Sequence, residues 1–290
     1  MSAPASPATS ASAPAPAPAA EAGSRPCQLA IDVHLAVDLI EECDFLLQME
    51  VAELEDQVVS GASLECSPTH HSVSVEAQDA IGQRIWLRGA GRFEARYSAG
   101  VRLERPISLL DGLAQLPPRL LPAATVPYLF ASRFCPADRL GGLVEDEFAA
   151  FEGGARIAAI SEWISQHIAY RAGASTPVTT ALDTLGDRAG VCRDFAHVLI
   201  SLARASAMPA RYAAVYAPGV EPQDFHAVAE VFLADPGGES GSWHLVDPTG
   251  MALPAQMARI GIGRDAADVS FLTSFGAAEV CDKTVSVAVV

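Results

Sequence analysis

Cys192, His226 and Asp247 are the side chains in this sequence best suited by type and order to covalent chemistry on an amide. They stand in Arg188-Ala189-Gly190-Val191-Cys192-Arg193-Asp194-Phe195-Ala196-His197, in Asp224-Phe225-His226-Ala227 and in Trp243-His244-Leu245-Val246-Asp247-Pro248-Thr249. In thiol-based acyl transfer a thiolate attacks the carbonyl, an imidazole moves the proton, and a carboxylate orients the ring and supports its charge. Taken by itself Cys192 is better explained as a core thiol, because free cysteine is among the most buried residue types. A nucleophilic Cys192 requires elements that bring the three side chains together.

Apolar residues at 195, 196, 199 and 203 share one helical face with Cys192, while Asp194, His197, Ser201 and Arg204 fall on another. The spacing predicts a buried helix whose first turn carries Cys192. There, unpaired N–H groups and the positive end of the helix dipole favour a thiolate. Residues 210–216, 226–233 and 243–247 read as strands, with a turn in Asp235-Pro236-Gly237-Gly238-Glu239. If the last two strands form a hairpin with a loop over residues 234–239, equal steps set Leu233 against Ser240, Glu230 against Trp243, Val228 against Leu245 and His226 against Asp247. Directly opposed residues have Cβ atoms roughly 4.5–5.5 Å apart, within reach of an imidazole–carboxylate hydrogen bond. The backbone N–H of Cys192 is a candidate oxyanion donor, and sequence names no second one. Other nearby polar groups have structural explanations: His244 on the face opposite Asp247, His197 off the cysteine face, and Asp194 as a favourable charge in a first helical turn.

The remaining segments read as support. Residues 1–25 form an expected disordered tail, since 20 of the first 24 are Ala, Pro or Ser. Residues 26–110 show short runs of β-formers separated by turns, as in an antiparallel sandwich, and residues 111–154 are a Pro-rich ordered connector. Residues 155–290 are assigned to a catalytic domain, opening with a core helix over 155–170 around Trp163 and ending on an alternating strand at 283–289. His70-His71 is read as a solvated turn and not a metal site, because adjacent strand side chains point to opposite faces. Gly261-Ile262-Gly263-Arg264-Asp265-Ala266 fits G-x-G-x-x-A but lacks the room for a βαβ unit, and is read as a turn.

Composition narrows the classes. The formal charge of −16 disfavours nucleic acid and anionic membranes as partners. Six cysteines without a C-x-x-C pair argue against zinc ribbons and disulfide frameworks, and no metal ligand set is expected. The N-terminus lacks a secretory signal's basic start and apolar run, and no stretch approaches the roughly 18 apolar residues of a membrane span, so a cytoplasmic protein is expected.

The three blocks, together with Met208-Pro209-Ala210-Arg211-Tyr212, resemble the transglutaminase-like superfamily, in its bacterial branch of transglutaminase-like cysteine peptidases. The likeness is close over residues 155–249. It implies an α+β fold, a papain-like core with the nucleophile helix packed on an antiparallel sheet, preceded by a β-domain. By resemblance Cys192, His226 and Asp247 are the triad, and the expected activity is that of a cofactor-free thiol amidase or peptidase acting on a peptide or protein amide, with acyl transfer to amines as a further outcome. Two other readings remain at this stage: a silent binding module that keeps the fold, and an acetyl-CoA acyltransferase of the arylamine type. No calcium loop of the D-x-[DN]-x-[DN]-G type appears, which disfavours calcium-dependent cross-linking.

Overall fold

The computed structural model describes residues 26–238 and 240–290, so the expected tail lies outside the described residues. The chain begins with β1 (Cys27–Leu47), β2 (Gln57–Cys66), β3 (His71–Glu76) and β4 (Gln83–Leu103). Along β1, residues 29, 31, 33, 35, 37 and 39 are buried, the period-2 alternation of a strand with one face on a core. β1 and β4 form a long antiparallel pair that shifts register between Leu39 and Cys43. The shift divides its length: β2 pairs with the second half of β4 and β3 with the first. The β-domain is thus one continuous six-stranded antiparallel sheet. His70 and His71 lie exposed at the start of β3, where His70 Nδ1 meets Glu42 Oε1 at 2.7 Å.

A series of short 3-10 helices fills the Pro-rich connector, as expected of a segment with frequent proline. Then come α1 (Gly141–Phe148), α2 (Gly153–His167), β5 (Ala169–Tyr170), α3 (Ala181–Asp187), β6 (Ala189–Gly190) and α4 (Cys192–Ala205). The second sheet runs in the order β10 (Ala258–Gly263), β7 (Ala210–Tyr216), β8 (His226–Ala234), β9 (Gly241–Val246), and it is antiparallel throughout. Every residue of β8 is buried, because α4 covers one side and a cluster including Tyr128, Leu245 and Met257 covers the other. α4 is likewise buried on all sides. Its polar face, Asp194, His197, Ser201 and Arg204, is inside the protein and almost fully hydrogen-bonded. Arg204, for example, donates to the carbonyls of Ala210, Phe130 and Arg264.

Two expectations are corrected here. The chain's last strands, β11 (Leu272–Ser274) and β12 (Ala278–Val289), do not belong to a catalytic domain extending over 155–290, for both pair with β1 in the first sheet. The alternation of β12 was legible, but its partner was not, because strand pairing over a separation of some 250 residues leaves no local signature. Gly261 and Gly263 are strand residues of β10, not a turn. A Cβ at Gly261 would come within 2.1 Å of Gln48 Nε2, so a larger residue there would have to push the Gln48 amide aside.

The sheets share their packing. Tyr216 of β7 and Ala258 and Ile260 of β10 sit in the core of the first sheet, and Tyr216 Oη donates to the Met49 carbonyl at 2.7 Å. Gln57 donates to the carbonyls of Ala52 and Arg259 and accepts from the Arg259 N–H. Among the described residues no helix is long and apolar enough to cross a membrane.

Candidate active site

Cys192 occupies the first position of α4. The turn before it is held from inside: buried Asp194 accepts from the Val191 N–H at 2.9 Å and from Ser175 Oγ at 2.9 Å. Gly190 is obligatory here, because a Cβ would lie 2.8 Å from Asp194 Cβ. Arg193 donates to Ser175 Oγ and to the Thr176 carbonyl and so fixes the loop beside Cys192. Sequence reasoning gave Asp194 a place in the helix dipole; its position is more specific, that of a peg for the turn that aims the thiol.

His226 begins β8 and is 2 % exposed. Its Nε2–H donates to Asp247 Oδ2 at 2.9 Å. Asp247 also accepts from the Ala252 N–H, the Thr249 N–H and Thr249 Oγ1, so both its oxygens are engaged. Burial would raise this carboxyl's pKa, but the hydrogen bond and charge of His226 and the bonds from Thr249 outweigh it and hold the group ionised below its ordinary range. For His226 burial opposes the charge, while the bond to Asp247, the neighbouring Cys192 thiol and the charges of both raise its pKa to about 10. The other ring nitrogen, Nδ1, is buried and has no hydrogen-bond partner among the described residues.

The hairpin that carries His226 and Asp247 has a different register from the expected one. Leu233 faces Ser242, Phe232 faces Trp243 and Glu230 faces Leu245, with pairing ending at Ala229 and Val246. The register is therefore two residues away from direct opposition of His226 and Asp247, because the loop covers residues 235–240, closed by Asp235 N–H to the Ser240 carbonyl. A shift of one would have sent the side chains to opposite faces; a shift of two preserves their parity and leaves the pair diagonal, within reach of an imidazole.

Tyr170 was not identified from sequence. β5 pairs in parallel with β6, setting Tyr170 beside Gly190, two residues before the cysteine. Burial and the charge of nearby Cys192 push its phenol's pKa up to about 12, so it is a proton donor at neutral pH. The only local signal was an aromatic at the end of a helix, and its relevance depends on the two-residue parallel pairing. His197 and His244 are not brought to the thiol by any hydrogen bond. His197 is fully buried, accepts from the Ala266 N–H at 3.2 Å and stacks on Phe134. His244 meets Ser242 Oγ at 3.1 Å.

Cys192 and His226 open into a cleft of ≈ 490 Å³. One wall comes from the second sheet and the loop at Arg133 and Phe134; the other comes from the returning strands, through Phe271, Leu272 and Lys283. The geometry supplies a sulfur at a helix start, an imidazole bonded to a carboxylate, and an aromatic-lined groove onto which Cys192 and His226 both face.

A family model described as the transglutaminase-like superfamily matches residues 146–248. The solved structure of a candidate cysteine protease from Cytophaga hutchinsonii is 30% identical, with 92% of this chain and 91% of that chain covered and a TM-score of 0.85. The uncharacterized protein ML0607 of Mycobacterium leprae is 29% identical over 124 residues, 39% of this chain. The match spans 42% of that curated relative's length.

Proposed function

Since this chain belongs to the transglutaminase-like superfamily, we propose that it is a thiol-dependent amidase or peptidase in which Cys192 is the nucleophile, His226 the proton carrier and Asp247 the group that orients and charges the ring. What supports this reading is His226, bonded to Asp247 at 2.9 Å on one nitrogen and lining the same cleft as Cys192. In the first half-reaction the Cys192 thiolate attacks the amide carbon. The N–H of Cys192 and the Tyr170 phenol donate to the developing oxyanion, and the His226 imidazolium gives its proton to the leaving amine. An acyl-thioester remains. In the second half-reaction neutral His226 takes a proton from water, or from an amine, as that nucleophile attacks the thioester and the C–S bond breaks. Water completes hydrolysis, and an amine completes acyl transfer.

The test is incubation with a peptide library, with and without a primary amine, followed by mass spectrometry. Hydrolysed or amine-adducted peptides are expected with the native chain, falling by about 10³-fold or more in Cys192→Ala. Identical products, or none, from the two proteins would overturn the proposal.

A further inference from the structure

Lysine occurs once in the 290 residues, at position 283. This single lysine lies in the wall of the cleft that holds Cys192 and His226. On β12 it continues the inward row of Val285 and Val287 at the rim of the first sheet. Its ammonium donates to Asp224 Oδ2 at 2.7 Å and stands 5.2 Å from the centre of the Phe271 ring. Phe271 stacks on Phe225 with centroids 4.7 Å apart and planes 6° from parallel. A carboxylate beside an aromatic face is the chemistry that recognises a primary ammonium. Asp224 is two residues from His226, so this receptor and the proposed proton carrier share one stretch of backbone.

The lysine is not needed to tether the two walls. Gln223 already clamps β12, its Nε2 donating to the Val287 carbonyl and its Oε1 accepting the Val287 N–H at 2.6 Å, and β12 is paired with β1 along most of its length. We infer that Asp224, Phe225 and Phe271 form a primary-ammonium subsite beside Cys192, occupied in this structure by the chain's own Lys283. The ligand class is a lysine side chain or a free N-terminal amine, and Lys283 is a built-in competitor for it. The catalytic consequence rests on the reading of Cys192 as nucleophile; the binding site does not. A chain with no other lysine also offers no other lysine side chain as acceptor to an acyl group on its own sulfur. If the bound group is the acceptor, the ammonium loses one proton to solvent and the amine nitrogen attacks the thioester carbonyl. A second proton passes to His226, the C–N bond forms and the C–S bond breaks, restoring the Cys192 thiolate.

Binding of 1,5-diaminopentane is measured by calorimetry on the full chain carrying Cys192→Ala, so that no turnover intrudes. Adding Lys283→Met should tighten binding about fivefold to tenfold, and further addition of Asp224→Asn should abolish the gain. Because Lys283 is the only lysine, acetylation of the folded protein neutralises the same ammonium without a mutation and should give the same gain even if Lys283→Met fails to fold. Unchanged affinity in the acetylated or the Lys283→Met protein overturns the subsite. With Cys192 restored, diaminopentane adducts would identify the acceptor as the source of the ammonium; faster cleavage of peptides with a free N-terminus than of their acetylated forms would identify the donor. Tightened binding with neither product would leave the subsite standing and count against Cys192 as nucleophile.

Discussion

His226 is where the chemistry and the stability of the site meet. Burial alone would lower its pKa below 6.5, and the Asp247 and Cys192 contacts raise it instead to about 10. A folded-state value above the unfolded one stabilises the protein fully below about pH 6.5, and that contribution disappears as pH rises through about 10. Two of the raising causes come from Cys192, so in Cys192→Ala the ring should titrate at lower pH than in the native chain, read from its proton resonances by NMR. An unchanged titration would mean that the sulfur does not act on the imidazole. Tyr170 makes a separate prediction, because Tyr170→Phe removes the phenolic donor while keeping a ring against Phe195, 5.9 Å away between centroids. The expected result is a loss of about 10²–10³ in kcat with little change in KM, the pattern of an interaction made only in the transition state. An unaltered kcat would leave the oxyanion to the Cys192 N–H alone.

The second sheet holds these groups by a buried ionic strut. Glu230, four residues along β8 from His226, accepts from Arg211 Nε at 2.7 Å and Arg259 Nη1 at 3.0 Å; Arg259 also pairs with Asp56, which accepts from Arg105 Nε at 2.6 Å. Burial would raise the Glu230 pKa, but the guanidinium charges of Arg211 and Arg259 outweigh it and keep the carboxylate ionised. Glu230→Ala would remove the carboxylate hydrogen-bonded to buried Arg211 and one of the two carboxylates that hold Arg259, and should cost about 3 kcal/mol in urea unfolding, whereas a surface pair is worth at most about 1. A cost under about 1 kcal/mol would show that the strut is not buried as described. Sequence disclosed the local half of this architecture. The apolar spacing of 195, 196, 199 and 203 gave α4, and the β-formers of 210–216 and 226–233 gave β7 and β8 nearly to the residue. It missed the loop length that sets the β8–β9 register and what depends on distant chain: the packing of Gly261 against Gln48, the two-residue pairing that sets Tyr170 beside Gly190, and the ion chain from Glu230 to Asp56. An even register error was harmless to the His226–Asp247 pair because strand side chains repeat every two residues.

The path of the chain makes the two sheets one cooperative body. β1 opens the first sheet and β12 closes it, so the segment bearing Cys192, His226 and Asp247 is inserted between strands that pair with each other. The first sheet's core contains Tyr216, Ala258 and Ile260 from the second, and the cleft's far wall is Phe271, Leu272 and Lys283 from the returning strands. Neither sheet can expose its core without stripping apolar surface from the other, the condition for unfolding together. The three tryptophans report on different parts: Trp86 on β4, Trp163 on α2 and Trp243 on β9. Variants that keep one tryptophan and carry phenylalanine at the other two should each show the same midpoint by fluorescence as by far-UV circular dichroism of the same protein. A Trp86 transition separated from that signal would mean that the first sheet unfolds alone. The cleft could then lose one wall while α4, β7 and β8 remain folded. Coincident transitions instead make the first sheet part of the cleft's framework, with the geometry around Cys192 depending on strands nearly a hundred residues further along the chain.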